Sequence, residues 1–315
     1  MTKTPRVLIT GAFGQIGSEL ITSLSHLYPP EQIFCLDLHI PPDFSGQAFK
    51  LDVSDSQQLA EFIRDHRITE VFHLVSLLSA TGEANPDLAW QLNLGSLKTV
   101  LDLARETKMK VFWPSSIAAF GPTTPRDQTP QHTILEPQTM YGVTKVAGEL
   151  LCQYYFLKYG VDVRSLRYPG VLSWKTPPGG GTTDYAVAIF PAALATGKYT
   201  CFLKSDTTLP MIYIDDAVRA TVELMQADPA ALSVRTSYNL AAISFSPREL
   251  AAEISRHVPL RLTYTPDHRQ KIADSWPRSI DDSCARHDWG WRHTFDLPAL
   301  AEAMLTGFKS LYGQN

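Results

Sequence analysis

Cysteine is scarce in the sequence, and the few cysteines form no recognisable pattern. Cys35, Cys152, Cys201 and Cys284 are scattered along the chain without a CxxC pair. This distribution argues against a structural zinc site, so we expect no bound metal. It fits a reducing compartment better than a disulfide framework, which predicts a cytoplasmic protein.

Long apolar runs and a strong excess of charge are also missing. No apolar run approaches the roughly 18 residues of a membrane-spanning helix, so we expect no membrane partner. The first residues, MTKTPRVLITGAFG, lack the apolar core and cleavage pattern of a signal peptide. The net charge of −4 gives no reason to expect nucleic acid or a membrane surface as a partner. The remaining composition is that of a globular protein.

Short apolar runs alternate with longer amphipathic segments through the first half of the chain. The runs predict strands at Arg6–Thr10, Gln32–Asp37, Glu70–Leu74, Lys110–Pro114 and Asp162–Arg167. The segments between them predict helices at Gln15–Leu27, Ser56–His66, Asp87–Thr107 and Tyr141–Tyr159. This alternation is typical of βαβ units, so we predict an α/β fold with a Rossmann-type, doubly wound parallel sheet.

The pattern changes after Tyr168, where proline and glycine cluster at 177–181. Further helices are predicted among short strands, at Tyr185–Leu194, Asp216–Met225 and Pro247–His257. We therefore expect a sheet domain at 1–170 and, at 171–315, mainly a smaller C-terminal lobe that binds the substrate. Some segments of this lobe are expected to return to the sheet.

A glycine-rich turn follows the first strand. In TGAFGQIG, the residues Gly11, Gly14 and Gly17 have the spacing G-x-x-G-x-x-G between a strand and a helix. Glycine allows a tight turn and a close approach to a pyrophosphate, and the helix start at Gln15 and Ile16 offers free N–H groups to that anion. A glycine-rich turn without any ligand is the alternative.

An acidic residue ends the second strand. Asp37 lies roughly 20 residues past the last glycine, where a carboxylate meets the ribose hydroxyls of adenosine. It would repel a 2′-phosphate, and no Arg or Lys follows it, so NAD is favoured over NADP. Asp52 and Val53 are expected to line the adenine, although Asp52 fits a turn equally well. The domain at 1–170 is therefore predicted to bind NAD.

Two Tyr–Lys pairs have helical i, i+4 spacing, Tyr141–Lys145 and Tyr154–Lys158. Residues four apart share a helix face, and an ammonium beside a phenol favours the phenolate, which can act as a general base. The first pair follows the strand FWPSS, which puts it near the sheet edge where ligands bind. The second pair lies in the aromatic run YYF and is predicted to pack.

Together these motifs resemble the extended short-chain dehydrogenase/reductase family. The resemblance runs almost end to end, through TGAFGQIG, HLVS (73–76), FWPSSIAAFGP, YGVTK, RYPG (167–170) and RSIDDSCARHDWGW (278–291). It implies a catalytic triad of Ser116, Tyr141 and Lys145. The family's spacing from Gly121 selects this serine over Ser115.

The resemblance also implies what the triad does. The serine hydrogen-bonds the reacting oxygen, the tyrosine transfers the proton, and the lysine lowers the tyrosine pKa while holding the ribose next to the nicotinamide. Leu74, Tyr168 and Pro169 are expected to contact the cofactor as well. A homodimer paired through the helices at 87–107 and 141–159 is implied too.

Several segments are similar to those of family members that oxidise the β-hydroxyl of L-threonine with NAD to give 2-amino-3-oxobutyrate. These segments are LLSATGE (77–83), WPSSIAAFGP (113–122), PPGGGTTDYAVAIF (177–190), PMIYIDDAVRAT (210–221) and IADSWPRSIDDS (272–283). The resemblance therefore implies L-threonine as the substrate. Trp276, in the last segment, is expected either to form part of a lid or to pack.

A small zwitterion needs hydroxyl and backbone donors for its carboxylate. Ser79, and Gly180, Thr182 and Thr183 on the glycine-rich loop, offer such groups and are expected to bind the substrate together with the serine and tyrosine of the triad. An ordinary loop hydroxyl is the alternative for Ser79. The two threonines, or Asp184, can alternatively cap the next helix.

Nucleotide-sugar epimerases and dehydratases use the same scaffold and are the alternative function. Their substrates need arginines for the diphosphate, whereas Arg219, Arg235 and Arg278 form no compact cluster in the second half. Arg219 is expected on a solvated helix face. A non-catalytic, NAD-sensing protein is a third hypothesis, which the intact triad disfavours.

Overall fold

The computed structural model describes residues 4–177, 179 and 181–312, with the backbone alone at Ser79 and Ala80. Its strands are β1 (Val7–Thr10), β2 (Ile33–Asp37), β3 (Gln47–Lys50), β4 (Glu70–His73), β5 (Lys110–Ser116), β6 (Val163–Tyr168), β7 (Gly170–Leu172), β8 (Lys198–Cys201), β9 (Leu209–Tyr213), β10 (Tyr238–Asn239), β11 (Ile243–Phe245) and β12 (Arg261–Tyr264). The main sheet has the order β3-β2-β1-β4-β5-β6-β10, and all its neighbouring strands are parallel.

Helices connect these strands. They are α1 (Gln15–Ser25), α2 (Ser56–Asp65), α3 (Ser79–Ala84), α4 (Pro86–Trp90), α5 (Ser96–Thr107), α6 (Met140–Tyr159), α7 (Tyr185–Thr196), α8 (Ile214–Gln226), α9 (Pro247–Ile254), α10 (Arg269–Asp274), α11 (Ser283–Trp289) and α12 (Leu297–Tyr312). A π-helical turn at Gln91–Gly95 joins α4 to α5, so the predicted helix at Asp87–Thr107 is present with a local change of pitch. Short 3₁₀ turns lie at Pro30–Gln32 and Ile117–Ala119.

The strand order reverses beside β1, because β2 and β3 follow on one side and β4, β5 and β6 on the other. Ligands of doubly wound sheets bind at the carboxyl ends of the strands next to such a switch point. Every residue of β1 is buried, as expected for a parallel strand covered on both faces. The predicted α/β, Rossmann-type sheet is therefore confirmed.

The sheet separates two apolar cores. Along β1, Val7 and Ile9 belong to one core and Leu8 to the other, because successive side chains of a strand point to opposite faces. The first core also contains apolar residues of α1, α7, α8 and α12, whereas the second contains those of α2, α5 and α6. Within the described part of the chain, no helix combines the length and apolar character that a membrane crossing needs.

The second half of the chain forms two smaller sheets and also returns to the main one. The smaller sheets have the orders β11-β9-β7 and β12-β8. Strand β10 extends the main sheet beside β6, and α8 packs against α1 on its face. Segments beyond residue 170 therefore contribute to the sheet domain as well.

One sequence expectation about this half is wrong. Arg219 does not lie on a freely solvated helix face, because its guanidinium donates hydrogen bonds to the Asp216 carboxylate and to the Arg292 carbonyl oxygen, both at 2.6 Å. It also lies 4.8 Å from the centre of the Trp291 ring. Arg219 therefore fastens the segment that precedes α12 onto α8.

Candidate active site

Two glycines let the turn after β1 fold tightly against α1. Gly11 has a φ of +65°, which lies in the left-handed region that favours glycine. A Cβ on Gly17 would lie 2.5 Å from the carbonyl oxygen of Gly11 and 2.6 Å from that of Ala12. No side chain caps α1, so the N–H groups of its first turn lack a side-chain acceptor. This end of α1 is therefore suited to bind an anion.

Asp37 is held rigidly at the end of β2. Its carboxylate accepts hydrogen bonds from the backbone N–H groups of Phe13 (3.0 Å), Leu38 (2.7 Å) and His39 (3.2 Å). The first of these bonds links Asp37 to the glycine-rich turn. The carboxylate therefore lies beside the turn, with lone pairs left for a ligand.

A cavity of about 420 Å³, here called the Asp37 cavity, opens at this point. Its walls include the following residues proposed from sequence: Gly11, Gly14, Asp37, Asp52, Val53 and Leu74. Asp52 is a turn residue as well, because it accepts hydrogen bonds from the N–H and hydroxyl groups of Ser54, which lower the pKa of the Asp52 carboxyl. Among the described residues, no arginine or lysine lines this cavity.

A second cavity of about 230 Å³, the Tyr141 cavity, adjoins the first and shares Leu74 and Ser76 with it. Many residues proposed from sequence line it: Gln15, Ile16, Leu74, Ser116, Tyr141, Lys145, Tyr168, Pro169, Thr182 and Thr183. They come from the carboxyl ends of β4, β5 and β6, from the starts of α1 and α6, and from the loop before α7. Elements far apart in sequence thus meet at the switch point.

The triad residues are brought together by β5 and α6. Thr139 caps α6 by accepting a hydrogen bond from the N–H of Gly142 at 3.1 Å, which puts Tyr141 in the first turn and Lys145 one turn later. Burial raises the pKa of Tyr141, and a hydrogen bond with the Ser116 side chain partly offsets this shift. Ser115 donates its hydroxyl to the Glu149 carboxylate at 2.6 Å instead. The geometry therefore favours Ser116 over Ser115 as the partner of the phenol.

Lys145 is buried beneath the cavity. Its ammonium donates a hydrogen bond to the Pro114 carbonyl oxygen at 2.7 Å and lies 4.6 Å from the centre of the Trp113 ring. Burial lowers the pKa of Lys145 to about 7, and the negative charge of Glu149 opposes this shift. The lysine therefore titrates near neutral pH in the unliganded protein.

The phenol of Tyr141 shows the opposite shift. Burial raises the pKa of Tyr141 to about 12, and the hydrogen bond with Ser116 only partly offsets it. The sequence-based expectation was that Lys145 lowers this pKa, but in the unliganded protein burial has the larger effect. The phenol is therefore protonated at neutral pH until another positive charge approaches it.

A buried ion pair between Arg167 and Glu149 lies next to the triad. Arg167 donates two hydrogen bonds to the Glu149 carboxylate, at 2.8 and 2.6 Å, and both side chains are almost fully buried. Glu149 lies one turn after Lys145, and Arg167 directly precedes Tyr168. The Tyr168 hydroxyl in turn hydrogen-bonds Thr221 of α8. The pair therefore ties α6 to β6 next to the cavity.

The loop before α7 closes one side of the Tyr141 cavity. Asp184 is at the N-cap position of α7, but its side chain makes no capping hydrogen bond to the helix. Its carboxylate instead accepts a hydrogen bond from the N–H of Gly181, in the preceding loop, at 2.7 Å. Thr182 is buried, and the methyl group of Thr183 lies 2.7 Å from where a Cβ on Gly170 would be. Gly180 and the side chain of Ser79 lie outside the described residues.

Sequence analysis gave Ser76 no role and considered Asp184 only as a helix cap, yet both line the Tyr141 cavity. A hydroxyl three residues after β4 and an acid directly after two threonines were the available signals. Trp276 lines the cavity too, while its carbonyl oxygen accepts a hydrogen bond from Arg126 at 3.1 Å. Trp276 therefore both packs in the protein and forms part of the wall of the Tyr141 cavity.

Tyr154, of the second Tyr–Lys pair, lies elsewhere. Its side chain is half exposed on α6, and its ring packs edge-on against the rings of Tyr155 and Tyr159, at centroid distances of 6.0 and 5.8 Å. It lines neither cavity. This location agrees with the predicted packing role.

Comparisons with known proteins identify the family of the chain. The NAD dependent epimerase/dehydratase family model matches residues 7–241. The chain is 51% identical over 305 residues to the mitochondrial L-threonine 3-dehydrogenase of Bos taurus, covering 95% of this chain and 82% of the relative. It is 52% identical to the holo form of a GalE-like L-threonine dehydrogenase from Cupriavidus necator, with a TM-score of 0.94 and coverage of 96% of this chain and 99% of that one.

A third relative is a monomeric L-threonine 3-dehydrogenase from a metagenome database, in its apo form. It is 47% identical, with a TM-score of 0.94 and coverage of 97% of this chain and 99% of that one. The family model spans most of the chain, and these identities extend over nearly all of it. The chain therefore belongs to the NAD-dependent epimerase/dehydratase family, as an extended short-chain dehydrogenase/reductase.

Proposed function

We propose that the protein is an NAD-dependent L-threonine 3-dehydrogenase. It would oxidise the β-hydroxyl of L-threonine to give 2-amino-3-oxobutyrate and NADH. The names of the bovine and Cupriavidus relatives support this activity. The observation that carries the proposal is the small number of charged side chains among the described residues that line the Tyr141 cavity.

That cavity suits a small zwitterion better than a nucleotide sugar. Among the described residues that line it, only Lys145 and Asp184 carry charge, and none is an arginine. A diphosphate needs several cationic donors, whereas an amino acid needs one acceptor for its ammonium, which Asp184 offers.

The arginines that a nucleotide sugar would need are engaged elsewhere. Arg219 bonds Asp216, Arg235 donates to the Pro229 carbonyl oxygen at 2.6 Å, and Arg278 donates to Asp127 at 2.8 Å. None of these arginines lines the Tyr141 cavity. This distribution disfavours epimerase or dehydratase activity on a nucleotide sugar.

The two cavities fit NAD. The tight glycine turn and uncapped start of α1 suit a pyrophosphate, and the fixed Asp37 carboxylate suits a ribose diol. The absence of Arg and Lys among the described walls of the Asp37 cavity gives a 2′-phosphate no partner. We assign the following residues to NAD: Gly11, Gly14, Gln15, Ile16, Gly17, Asp37, Asp52, Val53, Leu74, Tyr141, Lys145, Tyr168 and Pro169.

The triad would then perform the oxidation. When bound, oxidised nicotinamide supplies the acceptor for the hydride that leaves the β-carbon of threonine. Tyr141 takes the proton of the β-hydroxyl as the C=O bond forms, and Ser116 hydrogen-bonds the same oxygen. Since burial raises the pKa of Tyr141 to about 12 even with the Ser116 hydrogen bond, its phenolate would depend on nearby positive charge from Lys145 and the oxidised ring.

The loop before α7 would hold the rest of the substrate. We assign carboxylate contacts to Thr182, Thr183, Gly180 and Ser79. Asp184 is the proposed ammonium partner. In this scheme residues 1–170 mainly bind NAD, and 171–315 mainly bind the substrate.

A homodimer remains our proposal for the assembly. Val143, Leu150, Tyr154 and Leu157 of α6 are exposed by 39%, 57%, 50% and 72%, and their spacing puts them on one helix face. Exposed apolar stripes of this kind mark interaction surfaces. A cytoplasmic location stays a prediction from sequence, and the bovine relative is named as mitochondrial.

A substrate panel tests the activity. NADH absorbance should appear with L-threonine and NAD, and more weakly with other β-hydroxy amino acids. UDP- and dTDP-sugars should not raise the melting temperature, because ligands stabilise only the proteins they bind. A shift with these sugars, without NADH formation from threonine, would favour an epimerase or dehydratase.

A further inference from the structure

Ser76 has a buried hydroxyl that lacks a partner. It follows the end of β4 by three residues, and its Oγ is closed off from solvent with no hydrogen bond to any described residue. Buried polar groups are nearly always hydrogen-bonded, so an unpaired one indicates a missing partner or ligand.

The neighbouring polar groups at this end of β4 are all paired. His73 hydrogen-bonds Thr10 through Nδ1 and Ser96 through Nε2, each at 2.8 Å. Asn93 hydrogen-bonds both backbone groups of Leu77, at 2.7 and 3.1 Å. The unpaired state of Ser76 is therefore local, and not a general feature of this strand end.

The position of Ser76 indicates what the partner is. Ser76 and Leu74 are the described residues that line both the Asp37 cavity and the Tyr141 cavity, and Leu74 has no polar side-chain atom. A ligand that extends from one cavity into the other must pass this shared wall. Ser76 supplies the side-chain hydroxyl there.

We propose that Ser76 Oγ hydrogen-bonds the ribose next to the nicotinamide, an inference that rests on the proposed use of NAD. The pyrophosphate is assigned to the glycine turn, the adenosine ribose to Asp37, and the nicotinamide ring to the vicinity of Tyr141. The second ribose, to which the resemblance also assigns Lys145, lies between these parts of NAD and therefore along the shared wall. A serine hydroxyl both donates and accepts, which matches a diol, and rotation about one bond redirects it.

Binding of two NAD fragments to Ser76→Ala tests this assignment without turnover. ADP-ribose contains the second ribose, whereas ADP ends at the pyrophosphate. Calorimetry should show ADP-ribose binding weakened about two- to tenfold, the worth of one neutral hydrogen bond, with ADP binding unchanged. The melting temperature of the unliganded variant should equal or exceed that of wild type, because the substitution removes an unpaired hydroxyl.

Ser165→Ala is the matched control. Its hydroxyl is buried and hydrogen-bonds Ser237 at 2.8 Å, away from both cavities. This variant should lose thermal stability and keep the wild-type affinities. Unchanged ADP-ribose binding by Ser76→Ala, or an equal loss for ADP, would overturn the assignment. Wild-type binding of ADP-ribose without oxidation of L-threonine would overturn the proposed substrate alone.

Discussion

The ammonium nitrogen of Lys145 lies 5.2 Å from the centre of the Tyr141 ring, inside one helical turn of α6. Burial lowers the pKa of the lysine to about 7 and raises that of the tyrosine to about 12. The unliganded cavity thus favours the neutral form of each group. In the proposed mechanism, positive charge therefore has to approach the phenol before it can act as a base.

The lysine shift predicts a pH-dependent stability. The unfolded chain keeps a proton on Lys145 up to about pH 10.4, whereas the folded protein loses it near pH 7. Between these values the unfolded state binds more protons, so the free energy of unfolding contributed by Lys145 rises with pH. Urea denaturation at pH 7 to 9 should show this rise.

Lys145→Met provides the comparison that isolates the effect. The buried thiol of Cys35 also has a raised pKa, but Lys145 is not among the causes of that shift, so its contribution is equal in both proteins. The wild-type stability minus that of the variant should increase between pH 7 and 9. Parallel curves would show that the lysine titrates normally, contrary to the account.

Asp37 should determine the choice of cofactor. Asp37→Asn keeps one side-chain oxygen, which can accept from the N–H groups of Leu38 and His39, but removes the charge that would exclude a 2′-phosphate. The affinity for NAD should fall about tenfold, the worth of a charged hydrogen bond, and the preference over NADP should shrink. Asp52→Asn, in the same cavity, should change the NAD/NADP preference much less. An unchanged preference in Asp37→Asn would refute the assignment.

Much of the fold was predictable because its signals are local. Strands β1, β2 and β4 are continuous apolar runs. The glycine-rich turn directly follows β1, and Asp37 ends β2. β3 was not predicted, because Gln47–Lys50 is a partly exposed edge strand with polar ends. α12 was also not predicted, although Leu300, Met304 and Phe308 recur at helical spacing.

The electrostatics of the site could not be predicted from sequence. The pKa of Lys145 depends on its burial against Trp113 and Pro114, which lie on a different element. Whether the Ser76 hydroxyl has a hydrogen-bond partner depends on the groups that the fold places around it. Arg219 was misassigned for the same reason, since its partner Arg292 is distant in sequence. Motifs predict which residue types gather, whereas long-range packing decides their charges and partners.

The two threonines before α7 should affect threonine binding. Thr182→Val and Thr183→Val keep the volume and remove the hydroxyl, whereas the Ser variants keep the hydroxyl. At least one Val variant should raise KM for L-threonine about tenfold with KM for NAD unchanged, and its Ser counterpart should stay near wild type. If both Val variants bind threonine normally, the loop makes no hydroxyl contact with the substrate.

The exposed stripe of α6 should mediate dimerisation. Light scattering should give the wild type about twice the chain mass of 35.0 kDa, and Leu157→Glu should reduce it to one chain. Leu27→Glu, at another exposed leucine after α1, should leave the mass unchanged. A monomeric wild type would rule out the dimer and match the name of the metagenome relative.

The initial rate of NADH formation by wild type and Tyr141→Phe, across a titration of L-threonine, tests the central claim most directly. Phenylalanine keeps the ring and removes the proton acceptor, so turnover should fall by at least about a hundredfold, the usual worth of general base catalysis. NAD binding measured by calorimetry should persist, which shows that the variant is folded. Wild-type NADH formation with saturation by threonine, lost in the variant, is the predicted result. No NADH from the wild type, or equal rates in both proteins, would contradict the account.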